Sequence, residues 1–149
     1  IAVLKINNDL ERLGDLAVNI AERSTCLAAP VRNSMIGDII LMAEKAQSML
    51  RNSLDALVNI DAELAREVCA NDDEVDMIHA GIFGKFEEDV RARPDQLHYF
   101  SHIMGVSRNL ERVADHATNI AEDIIYMSHG EIVRHRTSEF RTEKGKSCG

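Results

Sequence analysis

Residues 110–122 read LERVADHATNIAE, and residues 10–22 read LERLGDLAVNIAE. Nine of the thirteen paired positions are identical across an offset of 100 residues. The identities include Glu11 with Glu111, Asp15 with Asp115, Asn19 with Asn119 and Glu22 with Glu122. Apolar neighbours drift between the copies, with Leu13 against Val113 and Leu16 against His116. Acids and an amide kept while core-type residues change mark a duplicated polar site.

Both copies sit in helical patterns. An α-helix turns ~100° per residue, so Glu111, Asp115 and Glu122 fall in a stripe ~40° wide. Glu11, Asp15 and Glu22 form the same stripe in the first copy. Like charges at i,i+4 cost a helix roughly 0.2–0.5 kcal/mol, so something is expected to offset that repulsion. A second acidic pair, Asp72 and Asp76, is also four apart, and His79 shares its face. If that face meets Glu111 and Asp115, carboxylates converge across a bundle, as in metal sites built on facing helices. Oxygen donors of this kind suit iron, manganese, magnesium or calcium, and zinc less exclusively. The competing reading is a solvated acidic face, with Arg108 and Arg112 beside Glu111 and Asp115, and Arg12 beside Asp15, as weak surface pairs.

The composition bounds the rest. The 149-residue chain has four Phe, two Tyr, no Trp and two Pro, and it is rich in Ala, Leu, Ile, Met and Glu. That is an all-α composition. A net charge of −8 disfavours a nucleic-acid partner and suits a binder of cations. Cys26, Cys69 and Cys148 form no close pair, so neither a disulfide framework nor a thiolate zinc site is expected, and a reducing compartment is. The apolar runs are shorter than the ~18 residues of a membrane span, and no secretory signal is visible. No Ser, Cys or Lys stands in a motif that supplies a base, and no Gly-rich phosphate loop occurs.

The periodicity predicts helix one over residues 1–23, with Ile6, Leu10, Leu13, Ala17, Ile20 and Ala21 as its apolar stripe. Pro30 ends it. Asn33 or Ser34 caps a helix over 35–58, buried through Ile36, Ile39, Ile40, Ala43, Ala46, Leu50, Leu54 and Leu57. Asp61 caps a third helical region over 62–92, kinked near Asn71, Asp72 and Asp73. Pro94 opens the last helix, over 95–128, with a seam at Phe100, Ile103, Ser107, Leu110, Ala114, Ala117, Ala121 and Ile124. Gly130 is its expected stop. Met42, Met49 and Met104 read as core filler. His98, His102 and His116 read as polar contacts, and His116 stands opposite Leu16 in the repeat. The chain opens IAVLKI without a capping residue, as if it entered in mid-helix, and a piece of a longer protein is expected. The expected organisation is therefore all-α. Residues 1–25 are the last helix of an incomplete bundle, 34–129 a complete three-helix bundle, and 136–149 a disordered polar tail. Helix one, without bundle mates, should pack on the remaining bundle, exchange with a second copy or be disordered.

The segments NNDLERLGDLAVNIAER and SRNLERVADHATNIAEDIIYMSHGE resemble the signature of the PhoU family, regulators of bacterial phosphate uptake, and NDDEVD resembles its other acidic motif. The resemblance implies tandem three-helix bundles related by a pseudo-twofold, with E(D)xxxD motifs that hold multinuclear iron or zinc clusters. Position by position, Asp72, Asp76, Glu111 and Asp115 match one site, and Glu11 and Asp15 match half of the other. Glu22, Glu122 and His79 are peripheral candidates from the residues themselves. The resemblance also implies a non-enzymatic, cytoplasmic role. Such a protein restrains the phosphate ABC transporter through its ATPase subunit and the sensor histidine kinase when phosphate is plentiful. It reaches the membrane only through those partners and often forms a homo-oligomer. The alternatives are a carboxylate-bridged metal enzyme, which expects Glu-x-x-His on two helices, and a purely structural helical module.

Overall fold

The computed structural model describes residues 2–28, 31 and 33–145, with side chains as far as 130. Five helices follow in order: α1 (Ala2–Thr25), α2 (Ile36–Asn59), α3 (Ala62–Ala70), α4 (Asp72–Ala92) and α5 (Leu97–Gly145). A 3-10 turn over Pro94–Gln96 links α4 to α5. No strand occurs among the described residues, and the architecture is an all-α helical bundle.

Local chemistry sets the element boundaries. Asn33 Oδ1 accepts from the amides of Met35 and Ile36 at 3.0 Å each, so Asn33 supports the start of α2. Asp61 Oδ1 accepts from Glu63 and Leu64 and caps α3. At Asn71 the side-chain amide donates to the Glu67 carbonyl at 2.9 Å. This local bond competes with the helical ladder and divides the expected third region into α3 and α4. In the last turn of α1, Ser24 and Thr25 hydroxyls donate to the carbonyls of Ile20 and Glu22. Helix α1 thus closes at Thr25; the expected stop, Pro30, lies outside the described residues.

The three-helix core is formed by α2, the α3–α4 pair and α5, all packed on one another. Every position of the expected α5 seam is buried, from Phe100 to Ile124. The α2 stripe is rotated from the expected one. It is centred on Met42, Ala46, Met49, Ser53 and Ala56, and Ile40 points outward. Ile36, Ile39, Ile40, Leu50, Leu54 and Leu57 on the flank weighted the periodicity away from methionines that bury equally well.

Gly130 does not stop α5, which continues to Gly145. A helical stop at glycine uses a positive φ, and no described glycine has one. Gly inside a helix costs only ~1 kcal/mol relative to Ala. Residues 136–145 are therefore helical where a disordered tail was expected, and 146–149 lie outside the described residues.

Helix α1 packs along α5 alone among the described elements. Ile6, Leu13 and Leu16 are buried there, each worth about 1.5–3 kcal/mol. The pair runs antiparallel. Lys5 reaches Asp123 at 3.8 Å, Asp9 meets His116 at 2.7 Å, and Arg23 lies against Gly105. Interpolation between these contacts sets Leu13 level with Val113, its own echo. Lys5 and Asp123 at one end have Gly105 and Arg23 as their echoes at the other. The two repeat copies thus face each other about a local two-fold. One consequence corrects the expected α1 stripe. Leu10, Ala17 and Ala21 are exposed, and Val3, Leu4 and Val18 join them on an open face. Their α5 echoes Ile103, Leu110, Ala117 and Ala121 are buried in the bundle core.

Candidate metal centre

The acidic residues of α4 and α5 meet in a seam between the two helices. One carboxylate oxygen from each of Asp72, Asp76 and Asp115 lies within 4.8 Å of the other two. Asp72 is half-buried, while Asp76 and Asp115 are open to solvent. No lysine or arginine forms an ion pair with any of the three among the described residues, including Arg108 and Arg112. Burial raises the Asp72 carboxyl above its ordinary range, and the charges of Asp76 and Asp115 add to this. Burial likewise raises Asp115, followed by Glu111 and Asp76, with His116 and Arg112 opposing. Asp72 Oδ1 and Thr118 Oγ1 are both buried without a well-formed hydrogen bond, although the Thr118 hydroxyl lies near enough to favour the Asp72 charge.

A second group extends the seam. Ser107, fully buried on α5, places its hydroxyl 2.7 Å from His79 Nδ1 and 3.5 Å from Met42 Sδ. That contact orients the ring and turns Nε2 toward Glu111 Oε2 at 3.7 Å. An imidazole held through its other nitrogen is the usual support of a metal-binding histidine.

At the far end, burial raises the Cys69 thiol, with Glu122 and Asp72 adding to the shift. A raised thiol is a poor nucleophile. Glu122 therefore lies along the seam but outside the three-carboxylate cluster. The first-copy acids have a different setting. Glu11, Asp15 and Glu22 are exposed on α1, and the structure does not bring them together with the Asp72 cluster. Asn19 and Asn119 are exposed as well.

The donor set fits a metal. It has clustered carboxylates without an ion-pair partner among the described residues, an orphaned buried oxygen on Asp72 and a pre-oriented imidazole. A bound ion would cancel the carboxylate repulsion and join α4 to α5. Ser107 and Thr118 were not singled out as site residues in the sequence. Their echoes, Asn7 and Val18, share neither side chain, so the repeat carried no signal. The one hint was a serine at a buried seam position, where a hydroxyl needs a partner.

Fold and seam together define an all-α bundle with a carboxylate-lined groove between facing helices. The PhoU domain description matches residues 39–124, and the chain belongs to the PhoU domain family. It is 35% identical over 130 residues to a phosphate-specific transport system accessory protein PhoU homolog of Clostridium acetobutylicum, covering 87% of this chain and 59% of that protein. A relative of the same description in Caulobacter vibrioides is 37% identical over 132 residues, covering 88% and 57%. The crystal structure of PhoU from Pseudomonas aeruginosa superposes with a TM-score of 0.82 at 32% identity, covering 87% of this chain and 63% of that one. The chain thus spans less than two thirds of these relatives' length. No described helix is long and apolar enough to cross a membrane.

Proposed function

We propose that this chain belongs to a non-enzymatic, metal-binding adaptor that restrains phosphate uptake and phosphate-starvation signalling. The relatives' names, accessory proteins of phosphate-specific transport, support the phosphate role. The family resemblance supports contacts with the phosphate ABC transporter ATPase subunit and the sensor histidine kinase, in the cytoplasm, as a homo-oligomer.

The observation that carries the metal part is the convergence of Asp72, Asp76 and Asp115, none of them in an ion pair with a described lysine or arginine. Glu111 and His79 Nε2 extend that donor set. A mixed imidazole and carboxylate set suits iron or zinc better than magnesium or calcium. Glu11 and Asp15 form the exposed half of an equivalent site.

Pull-down with purified transporter ATPase and sensor-kinase domains tests the adaptor role. Retention of both, weakened by Asp72→Asn/Asp76→Asn, is the expected result. Failure of the metal-loaded protein to retain either domain would sink the adaptor reading.

A further inference from the structure

We propose that His98 and His102 form a second divalent-metal site, a two-imidazole chelate for zinc, separate from the carboxylate seam. The two residues stand four apart near the start of α5 and share a helix face. Their Nε2 atoms converge to 3.2 Å, with the rings at 87° to each other. Two Zn–N bonds of ~2.0–2.1 Å drawn to nitrogens 3.2 Å apart meet at about 100°, close to the tetrahedral angle. The helix therefore presents both donors at chelating separation without a change of backbone.

Among the described residues neither ring has another polar partner, and His102 Nδ1 is buried, so Nε2 is the nitrogen of that ring that an ion can reach. His98 is exposed, which opens the pair to an ion from solvent. His102 precedes Glu111 by nine residues, about 13 Å along the helix axis, so the pair is not part of the seam. Imidazole pairs without a carboxylate select zinc and its neighbours over magnesium and calcium. A net charge of −8 raises the local concentration of any cation. The chain supplies two donors and leaves the remaining positions to water.

The test separates this site from the seam. Zinc chloride is titrated calorimetrically into the whole chain carrying Asp76→Asn/Asp115→Asn, with the imidazole proton resonances followed in parallel. One zinc per chain should still bind, with the His98 and His102 resonances shifting together. Adding His98→Ala, an exposed position that leaves the core untouched, should weaken zinc at least tenfold, and His102→Gln should do the same. Absence of zinc binding in the Asp76→Asn/Asp115→Asn chain overturns the proposal. So does a loss smaller than tenfold on changing either histidine. Neither result bears on zinc or iron at the seam, which is read in the chain with its carboxylates intact.

Discussion

Asp115 and Asp72 hold protons more firmly in the folded chain than in the unfolded one, because burial and neighbouring carboxylates disfavour their charge. A carboxyl raised by folding contributes no penalty at low pH, where both states are protonated. The penalty grows as pH rises from about 4 through the raised values, and it persists above them. Metal-free protein should therefore lose stability across that window. Asp115→Asn should raise the neutral-pH stability of chelator-treated protein by roughly 0.5–1 kcal/mol, a modest gain because the group is solvent-screened. Urea midpoints at pH 4.5 and 7.5 check this, and a destabilised Asp115→Asn at pH 7.5 would contradict it. Ser107 acts at the same scale. Ser107→Ala removes the hydroxyl that holds His79 Nδ1. Zinc affinity should fall about tenfold or more, as when the outer partner of a liganding histidine is lost. Competition titration against a chromophoric chelator measures it, and unchanged affinity would remove His79 from the site.

At the scale of the element, α1 is held to α5 by three buried aliphatics and the Asp9–His116 contact. His116→Ala leaves a largely buried carboxylate without its partner, at a cost of about 1–3 kcal/mol. Hydrogen exchange should show α1 amides opening faster while the α2–α4 core keeps its protection; uniform acceleration would contradict separate docking of α1. The helices themselves were legible in the sequence to different depths. The α5 seam was read in full because its three-and-four steps coincide with complete burial on one side. The acidic pairs were legible because i,i+4 spacing fixes a face. The α1 face was misread because a helix with two apolar stripes has no single period. Burial of Leu16 beside the expected Ile6 and Leu13, with Leu10 and Ala17 left outside, depends on a partner that helix one's own period does not describe. The continuation of α5 through Gly130 was missed because one glycine is a weak stop without the positive φ that ends a helix.

At the scale of the whole molecule, the local two-fold between α1 and α5 leaves the two repeat copies unequal. The α5 copy has its acids opposed by α4 and its apolar face buried by α2, α3 and α4. The α1 copy presents the same acids to solvent and an open face of Val3, Leu4, Leu10 and Val18. A contiguous apolar face of that kind promotes association. The chain should self-associate with rising concentration in sedimentation velocity, and Leu10→Gln/Val18→Gln should return it to monomer with helix content unchanged. Identical sedimentation of the two proteins would show that this face does not drive association.

The central claim is that Asp72, Asp76 and Asp115 hold a metal between α4 and α5. Elemental analysis of chain purified without chelator, beside Asp72→Asn/Asp76→Asn prepared identically, tests it most directly. The account predicts iron or zinc in the unaltered chain and loss of at least half of it in the double variant, the remainder residing at His98 and His102. Equal metal content in the two proteins, or none in either, would contradict it.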